Sequence, residues 1–167
     1  MIAPLPLTLS LPDEEATARL ARALAPELGA GDTLALAGPI GAGKSFFART
    51  LIRHRLNAVG KDEDIPSPTF TLVQTYQAGD LEIWHSDLYR LSTPDELFEL
   101  GLEEAFETAL CLIEWPDRMG EDLPSSALLL TFAPQEGDRR VVTLSSGGPA
   151  WPARLAQILK TGGFADD

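Results

Sequence analysis

The sequence TLALAGPIGAGKS, residues 33–45, is the strongest indication of how this chain folds. Its first five residues are apolar or β-compatible, and a loop containing Gly38, Gly41 and Gly43 follows directly. Because glycine has no Cβ, a turn built in this way lets backbone N–H groups approach a bound anion closely. Residues 44–56 then place apolar side chains at helical spacing. The pattern predicts a strand, an anion-binding loop and a helix in succession.

The last two residues of this stretch indicate which anion is bound. Lys44 supplies an ammonium that can reach the β- and γ-phosphates of a nucleotide, and the hydroxyl of Ser45 is placed to ligate Mg²⁺. The positive N-terminal end of the following helix adds to the attraction. A glycine-rich turn that binds nothing is the alternative, but this spacing between a strand and a helix is rarely met by chance. We therefore expect a P-loop that holds ATP or GTP with magnesium.

The rest of the sequence predicts one α/β domain. Strands are expected at residues 6–11, 33–37, 69–76, 81–87, 109–113, 127–132 and 140–144, and helices at 13–28, 44–56, from 93 onwards and at 149–159. The continuous apolar run 109–113 is typical of a strand buried on both faces of a sheet. We predict a P-loop NTPase-like domain over residues 1–160, with a mixed parallel and antiparallel sheet flanked by helices. A flexible tail is expected at 161–167.

The amino-acid composition indicates which partners this protein can bind directly and in which cellular compartment it is found. The chain has 25 acidic against 13 basic residues, a formal net charge of −12, so its surface should repel a nucleic-acid backbone. The single cysteine, Cys111, lies in an apolar run and is expected to be a buried thiol. Residues 1–12 carry no cation and contain three prolines, which does not suit a targeting or membrane-spanning segment. We expect a cytoplasmic protein.

Two acidic residues end predicted strands. Glu114 follows the apolar run, where a P-loop protein places its second magnesium anchor. Asp87 ends the strand 81–87, and His85, two residues earlier, should point to the same face. Chance placement of Glu114, and an exposed polar face on a hairpin for Asp87 and His85, are the alternatives.

Four motifs together resemble one family. They are GPIGAGKS at 38–45, SPTFTL at 67–72, HSDLYR at 85–90 and IEWP at 113–116. In this order they resemble the TsaE family, also called YjeE, the small P-loop ATPases of bacterial tRNA threonylcarbamoyladenosine synthesis. The similarity extends over about residues 10–125. Pro39-Ile40 replaces the family's frequent Asp-Leu, and Ser45 replaces Thr, but neither change removes a needed donor.

The resemblance implies a role for each matched residue. Ser45 and Glu114 would hold magnesium, and Asp87 would be essential to turnover. The segment 67–70 would act as a switch near the γ-phosphate. The implied catalytic residues are Asp87, Thr69 and Glu114, and the implied nucleotide-binding residues are Gly38, Ile40, Gly41, Ala42, Gly43, Lys44, Ser45, Phe46 and Trp115.

The same resemblance implies an ATPase, weak alone and stimulated by partners, that acts on TsaB and TsaD proteins and meets tRNA only through that complex. Arg90 is the one candidate for a self-supplied arginine finger.

Two alternative functions remain open. One is a small-molecule kinase with Asp87 as base and residues 61–66 as lid, and the other is a nucleotide-gated binding module without required turnover. ATP rather than GTP rests on the resemblance alone. Thr17 is a candidate for contact with the base, although a helix-surface position is the simpler interpretation.

Overall fold

The computed structural model describes residues 4–68, 71–91, 93 and 95–164. The strands in this part of the chain are β1 Leu7–Leu11, β2 Thr33–Ala37, β3 Val73–Ala78, β4 Leu81–Asp87, β5 Leu110–Glu114, β6 Leu128–Pro134 and β7 Arg140–Ser145. The α-helices are α1 Glu14–Leu24, α2 Lys44–Ala58, α3 Asp95–Leu100, α4 Leu102–Thr108 and α5 Trp151–Thr161, with short 3-10 turns at Ala25–Glu27, Pro116–Arg118 and Gly120–Asp122. None of the helices described here is long and apolar enough to cross a membrane.

The strands form one sheet in the order β1-β7-β6-β2-β5-β4-β3. The four central strands, β6, β2, β5 and β4, run parallel, and the flanking pairs of β1 with β7, β7 with β6, and β4 with β3 are antiparallel. This confirms the predicted α/β fold with a mixed sheet. Because β2 lies at the centre, the glycine loop at its carboxyl end is flanked by the ends of β5 and β4 on one side and by the β6–β7 hairpin on the other.

Strand β5 is buried on both faces, as its apolar run predicts. Leu110 and Leu112 belong to the larger core, which packs the sheet against α1, α2 and α5. Cys111 and Ile113 point the other way, into a smaller core that includes Leu102 of α4. Burial raises the pKa of the Cys111 thiol to about 12, which agrees with a packing role and not a nucleophilic one.

Two element boundaries differ from the sequence prediction by four residues. The helix expected over 13–28 ends at Leu24 and continues as a 3-10 turn, because Pro26 has no N–H to extend the α-helical ladder. The strand expected from 69 begins at Val73, since Leu72 has a φ of 67°, in the left-handed region that interrupts extended backbone.

The part of the predicted tail that the structure describes packs against the domain. Thr161 is the last residue of α5, and the Phe164 N–H donates to the Leu159 carbonyl at 2.8 Å. The Arg19 guanidinium of α1 lies 4.4 Å from the centre of the Phe164 ring. Residues 165–167 lie outside the described residues.

Candidate phosphate-binding site

The loop between β2 and α2 has a backbone that glycine makes possible. Gly38, Gly41 and Gly43 have φ values of 135°, 83° and 105°, which side-chain-bearing L-residues rarely adopt. A Cβ on Gly38 would also overlap the Phe132 carbonyl of β6. The backbone conformation explains glycine at all three positions, and the contact with Phe132 further excludes a side chain at position 38.

Two backbone hydrogen bonds stabilise the loop and the start of the helix that follows it. The Ala42 N–H donates to the Pro39 carbonyl at 3.2 Å, and the Phe47 N–H donates to the Gly43 carbonyl at 2.9 Å, which starts α2. The first N–H groups of α2 have no partner within the helix itself. They therefore face the loop centre together with the positive end of the helix dipole.

A cavity of about 480 Å³ lies beside this loop. It brings together most of the residues that the sequence predicted, namely Ile40, Gly41, Gly43, Lys44, Ser45, Phe46, Asp87, Glu114 and Trp115, and also Arg90. The predicted residues Gly38 and Ala42 do not line it, although both lie in the loop, and Ala42 is almost completely buried. Three further residues line the cavity that the sequence did not indicate as site residues, namely Glu14, Tyr89 and Arg140.

Ser45 and Glu114 line the cavity and contact each other directly. The Ser45 hydroxyl donates to the two Glu114 carboxylate oxygens at 2.8 and 3.0 Å. His85 Nε2 lies 2.7 Å from Glu114 Oε2, so the carboxylate is held from two sides. Glu114 is only 2% exposed. A hydroxyl and a carboxylate side by side are the oxygen ligands that Mg²⁺ prefers.

Lys44 lies with its ammonium between the loop and an aromatic ring. Its Nζ donates to the Gly38 carbonyl and lies 3.5 Å from the centre of the Trp115 ring. Burial lowers the pKa of Lys44, and this loss of hydration outweighs the opposing attraction of Glu114, Asp87 and Asp117. A buried ammonium that lacks hydration gains from a further anion, which is what a phosphate chain provides.

Asp87 and His85 are not on an exposed hairpin face, so that alternative is wrong. Asp87 is 6% exposed and His85 is fully buried, because β4 is an internal strand between β3 and β5. Asp87 is paired in register with Glu114 on β5, which places the two acids on neighbouring strand ends. The Tyr89 N–H donates to Asp87 Oδ1 at 3.0 Å and orients the carboxylate.

Trp115 holds an uncommon backbone conformation at the edge of the cavity. Its φ of 60° lies in the left-handed region, and its N–H donates to the Leu36 carbonyl of β2 at 3.2 Å. The Tyr89 ring packs against it at a centroid distance of 4.9 Å. A left-handed non-glycine residue costs about 1–3 kcal/mol unless its surroundings impose it, and such residues are frequent at functional sites.

The sequence suggested two other residues for the site, Thr69 and Thr17. Thr69, the implied catalytic residue of the switch segment, lies outside the described residues. Thr17 is fully buried in α1 and not on the helix surface, so the simpler interpretation of this residue is wrong. Its hydroxyl oxygen has no hydrogen-bond partner among the described residues, and Thr17 does not line the cavity.

Comparison with known proteins identifies the family. The family model described as threonylcarbamoyl adenosine biosynthesis protein TsaE matches residues 11–142 of this chain. The chain belongs to the TsaE family. The TsaE match includes the loop, Asp87 and Glu114, so the family assignment and the geometry rest on the same residues.

Curated TsaE proteins are similar over much of their length. The Rickettsia felis protein is 48% identical over 109 residues, which are 65% of this chain and 62% of that protein. The aligned part of this chain thus spans less than two thirds of that relative. The Rickettsia conorii protein is 39% identical over 81% of this chain and 75% of its own length, and the Bacillus subtilis protein is 34% identical over 84% of each.

A solved structure shares the whole fold. The crystal structure of Bacillus subtilis YdiB has a TM-score of 0.76 to this chain at 26% identity, and the match covers 96% of this chain and 97% of the other. The fold is therefore shared with that structure over almost all of this chain.

Proposed function

We propose that this chain is a magnesium-dependent ATPase that supports threonylcarbamoyladenosine modification of tRNA by acting on a complex of TsaB- and TsaD-type proteins. The observation that carries the enzymatic part is the contact of the Ser45 hydroxyl with both Glu114 oxygens, directly below the glycine loop. The description of the matching family supports the role in tRNA modification.

The donor set of the site fits magnesium. Ser45 and Glu114 would hold the ion, and phosphate oxygens and water would complete its shell, as is usual for Mg²⁺. Among the described residues no cluster of three or more His, Cys, Asp or Glu could hold a metal unaided. A bound Mg²⁺ would neutralise charge on the phosphates.

We assign separate roles in triphosphate binding and hydrolysis to the other residues of the cavity. Lys44 and the loop amides bind its β- and γ-phosphates, where they stabilise charge that develops during transfer. Asp87, oriented by the Tyr89 N–H, is the carboxylate placed to position a water for attack on the terminal phosphate. Trp115 lines the same cavity beside Lys44, where its ring would limit access of bulk water.

Turnover by the isolated chain is expected to be slow, and the partner complex is expected to accelerate it. Phosphoryl transfer depends strongly on a positioned cation at the terminal phosphate, and supplying one in trans can raise the rate by about 10³ to 10⁵. Arg90 lines the cavity on the side of Asp87 and is the residue that a partner could reposition. The net charge of −12 agrees with contact to tRNA only through that complex.

The decisive experiment is depletion of this protein in its host, followed by mass spectrometry of threonylcarbamoyladenosine in tRNA. We expect the modification to fall and to be restored by the wild-type gene but not by the Asp87→Ala variant. An unchanged modification level after depletion would overturn the role in tRNA modification. Full restoration by an Asp87→Ala variant that still binds ATP would show that nucleotide gating suffices without turnover.

The nucleotide site has a separate test in vitro. The Lys44→Ala variant should lose most of its affinity for Mg-ATP in calorimetric titration, because the phosphates lose their ammonium partner. Its melting temperature should change by only a few degrees, since burial already penalises the charged form of Lys44. The variant Lys160→Ala, on the exposed last turn of α5, makes the same charge change and should bind normally. Unaltered ATP affinity in Lys44→Ala would contradict the proposal.

A further inference from the structure

His85 contacts Glu114 but does not line the cavity. It precedes Asp87 by two residues on β4, so these two side chains share one face of the sheet. Asp87 is in register with Glu114 on β5, so Glu114 points to this same face. His85 is fully buried. A nucleotide in the cavity is therefore within reach of Glu114 and not of His85.

The contact with Glu114 is the one polar contact of the His85 ring in the described part of the chain. Nε2 lies 2.7 Å from Glu114 Oε2, at the short end of the range for N–H···O hydrogen bonds. Because an ionised carboxylate only accepts hydrogen bonds, Nε2 is the donor. The other ring nitrogen, Nδ1, is buried and has no hydrogen-bond partner among the described residues. Burial of a polar atom without a partner lowers stability, so packing alone does not explain a histidine at this position.

The two carboxylate oxygens of Glu114 have different surroundings. The Ser45 hydroxyl lies 2.8 Å from Oε1 and 3.0 Å from Oε2, and its single hydrogen can point well to only one of them. His85 bonds Oε2 alone. Oε2 thus has a buried donor of its own, whereas Oε1 is contacted only by the Ser45 hydroxyl among the described residues.

We propose that His85 is a positioning residue for magnesium: it holds Oε2 of Glu114 and thereby keeps Oε1 beside the Ser45 hydroxyl, available to the ion. This inference rests on the proposed magnesium-nucleotide site and adds a residue to it. A glutamate side chain has several rotatable bonds, so a carboxylate without this hydrogen bond would lose more freedom when it binds a metal. Replacing the hydrogen-bond partner of a metal ligand typically weakens metal binding by about 10- to 100-fold.

The test compares substitutions of His85 in ATP titrations at several Mg²⁺ concentrations. In His85→Leu, the Mg²⁺ concentration that half-saturates ATP binding should rise by about tenfold or more, because no donor orients the carboxylate. His85→Gln places an amide N–H near the position of Nε2, so its Mg²⁺ requirement should stay within about threefold of the wild type. In excess EDTA, both variants should bind ATP with an affinity similar to that of the wild type.

His54, the other histidine of the chain, provides the matched control. It is half-buried on α2 and does not line the cavity beside the glycine loop, so His54→Leu should leave the Mg²⁺ dependence unchanged. His85→Asn gives a second comparison that does not depend on the folding of His85→Leu. Its amide nitrogen corresponds to Nδ1 and stops short of Glu114, so it should need about tenfold more Mg²⁺ although it is polar like glutamine. A role in stability alone would lower the melting temperature and leave the Mg²⁺ dependence of every folded variant unchanged.

A double substitution separates this inference from the site on which it rests. In the Glu114→Gln background, His85→Leu should not raise the Mg²⁺ requirement further, because the ligand that it positions is already gone. Additive effects would overturn the positioning role while the magnesium site stands. So would a wild-type Mg²⁺ dependence in both His85→Leu and His85→Asn, or a His85→Gln variant as impaired as His85→Leu.

Two results would overturn the basis of the inference and the inference with it. A wild-type Mg²⁺ dependence in Glu114→Gln would remove Glu114 as a ligand, which leaves His85 with nothing to position. Absence of nucleotide binding by the wild-type chain would overturn the proposed function itself.

Discussion

The ammonium of Lys44 lies 3.5 Å from the centre of the Trp115 ring, although the two residues are far apart in the sequence. The ring compensates part of the hydration that the buried ammonium has lost. Trp115 comes immediately after Glu114, so one tight turn at the end of β5 places both the proposed metal ligand and the partner of the lysine. A phosphate that binds Lys44 must change this contact.

The first prediction uses Trp115 as a reporter. Binding of Mg-ATP should change the tryptophan fluorescence, because the cation beside the indole becomes paired with phosphate. In Trp115→Phe this change should disappear, while ATP affinity stays within a few fold, since phenylalanine retains a weaker cation–π contact. Trp84 bonds to Glu82 and does not line the cavity, so Trp84→Phe should keep the signal. A full response in Trp115→Phe would rule out Trp115 as the reporter.

The second prediction concerns the metal. Glu114→Gln replaces a carboxylate with a neutral amide of the same shape, so the Mg²⁺ concentration that half-saturates ATP binding should rise by about tenfold or more. Titrations at several Mg²⁺ concentrations measure this, with Glu103→Gln on the exposed face of α4 as control. In excess EDTA, Glu114→Gln and wild type should bind ATP with similar affinity. An unchanged Mg²⁺ dependence would exclude Glu114 as a ligand.

The third prediction separates binding from turnover at Asp87. Asp87→Asn keeps the size of the side chain and should bind ATP nearly as well as wild type. Phosphate release, measured with the partner proteins present, should fall by about 10² or more, because the amide cannot accept a proton. Asp80→Asn, in the exposed turn between β3 and β4, should hydrolyse ATP normally. Wild-type turnover in Asp87→Asn would remove this residue from the catalytic set.

The fourth prediction concerns the bidentate pair between Arg154 and Asp32. The two guanidinium nitrogens of Arg154 each lie 2.8 Å from an Asp32 oxygen, and one also bonds the Glu27 carbonyl at 3.0 Å. The hydrogen bond to Asp32 raises the pKa of Arg154. Because this pair joins α5 to the start of β2 and is mostly shielded from water, Arg154→Ala should lower the free energy of unfolding by about 1–2 kcal/mol.

The exposed pair of Arg22 with Glu15 is the control for that change. Its side chains are 45% and 73% exposed, so Arg22→Ala should alter the free energy of unfolding by less than about 0.5 kcal/mol. Urea denaturation of both variants provides the comparison. Equal effects would show that the bidentate geometry adds nothing to stability.

The fifth prediction is a pH dependence that arises at Cys111. The folded thiol has a pKa of about 12, against 9.0 for an exposed thiol, so above pH 9 the unfolded chain loses its proton first. The unfolded state then binds fewer protons, and the free energy of unfolding falls as pH rises from 9 towards 12. Between pH 9 and 10.5 the wild type should lose about 1.5 kcal/mol more than Cys111→Ala in urea denaturation. Parallel pH profiles would contradict the burial of this thiol.

Local sequence determined the elements around the glycine loop. Strand 33–37, the helix from Lys44, the doubly buried run at β5 and the acids that end β4 and β5 all follow from spacing and residue type. These features are readable because backbone sterics, helical periodicity and burial act over neighbouring residues. The four ordered motifs were enough to indicate the TsaE family, which the family match then confirmed.

Which of these elements come into contact depends on the packing of the whole domain. The order β7-β6-β2-β5-β4 brings Arg140 to Gly43 and Glu114 to Ser45, and no local pattern encodes pairings between strands so distant in sequence. The same packing buried His85 and Thr17, which local periodicity left as surface alternatives. The order of strands in a sheet depends on how much apolar surface all the strands and helices bury together. That total is a property of the folded domain and cannot be read from any one segment of the sequence.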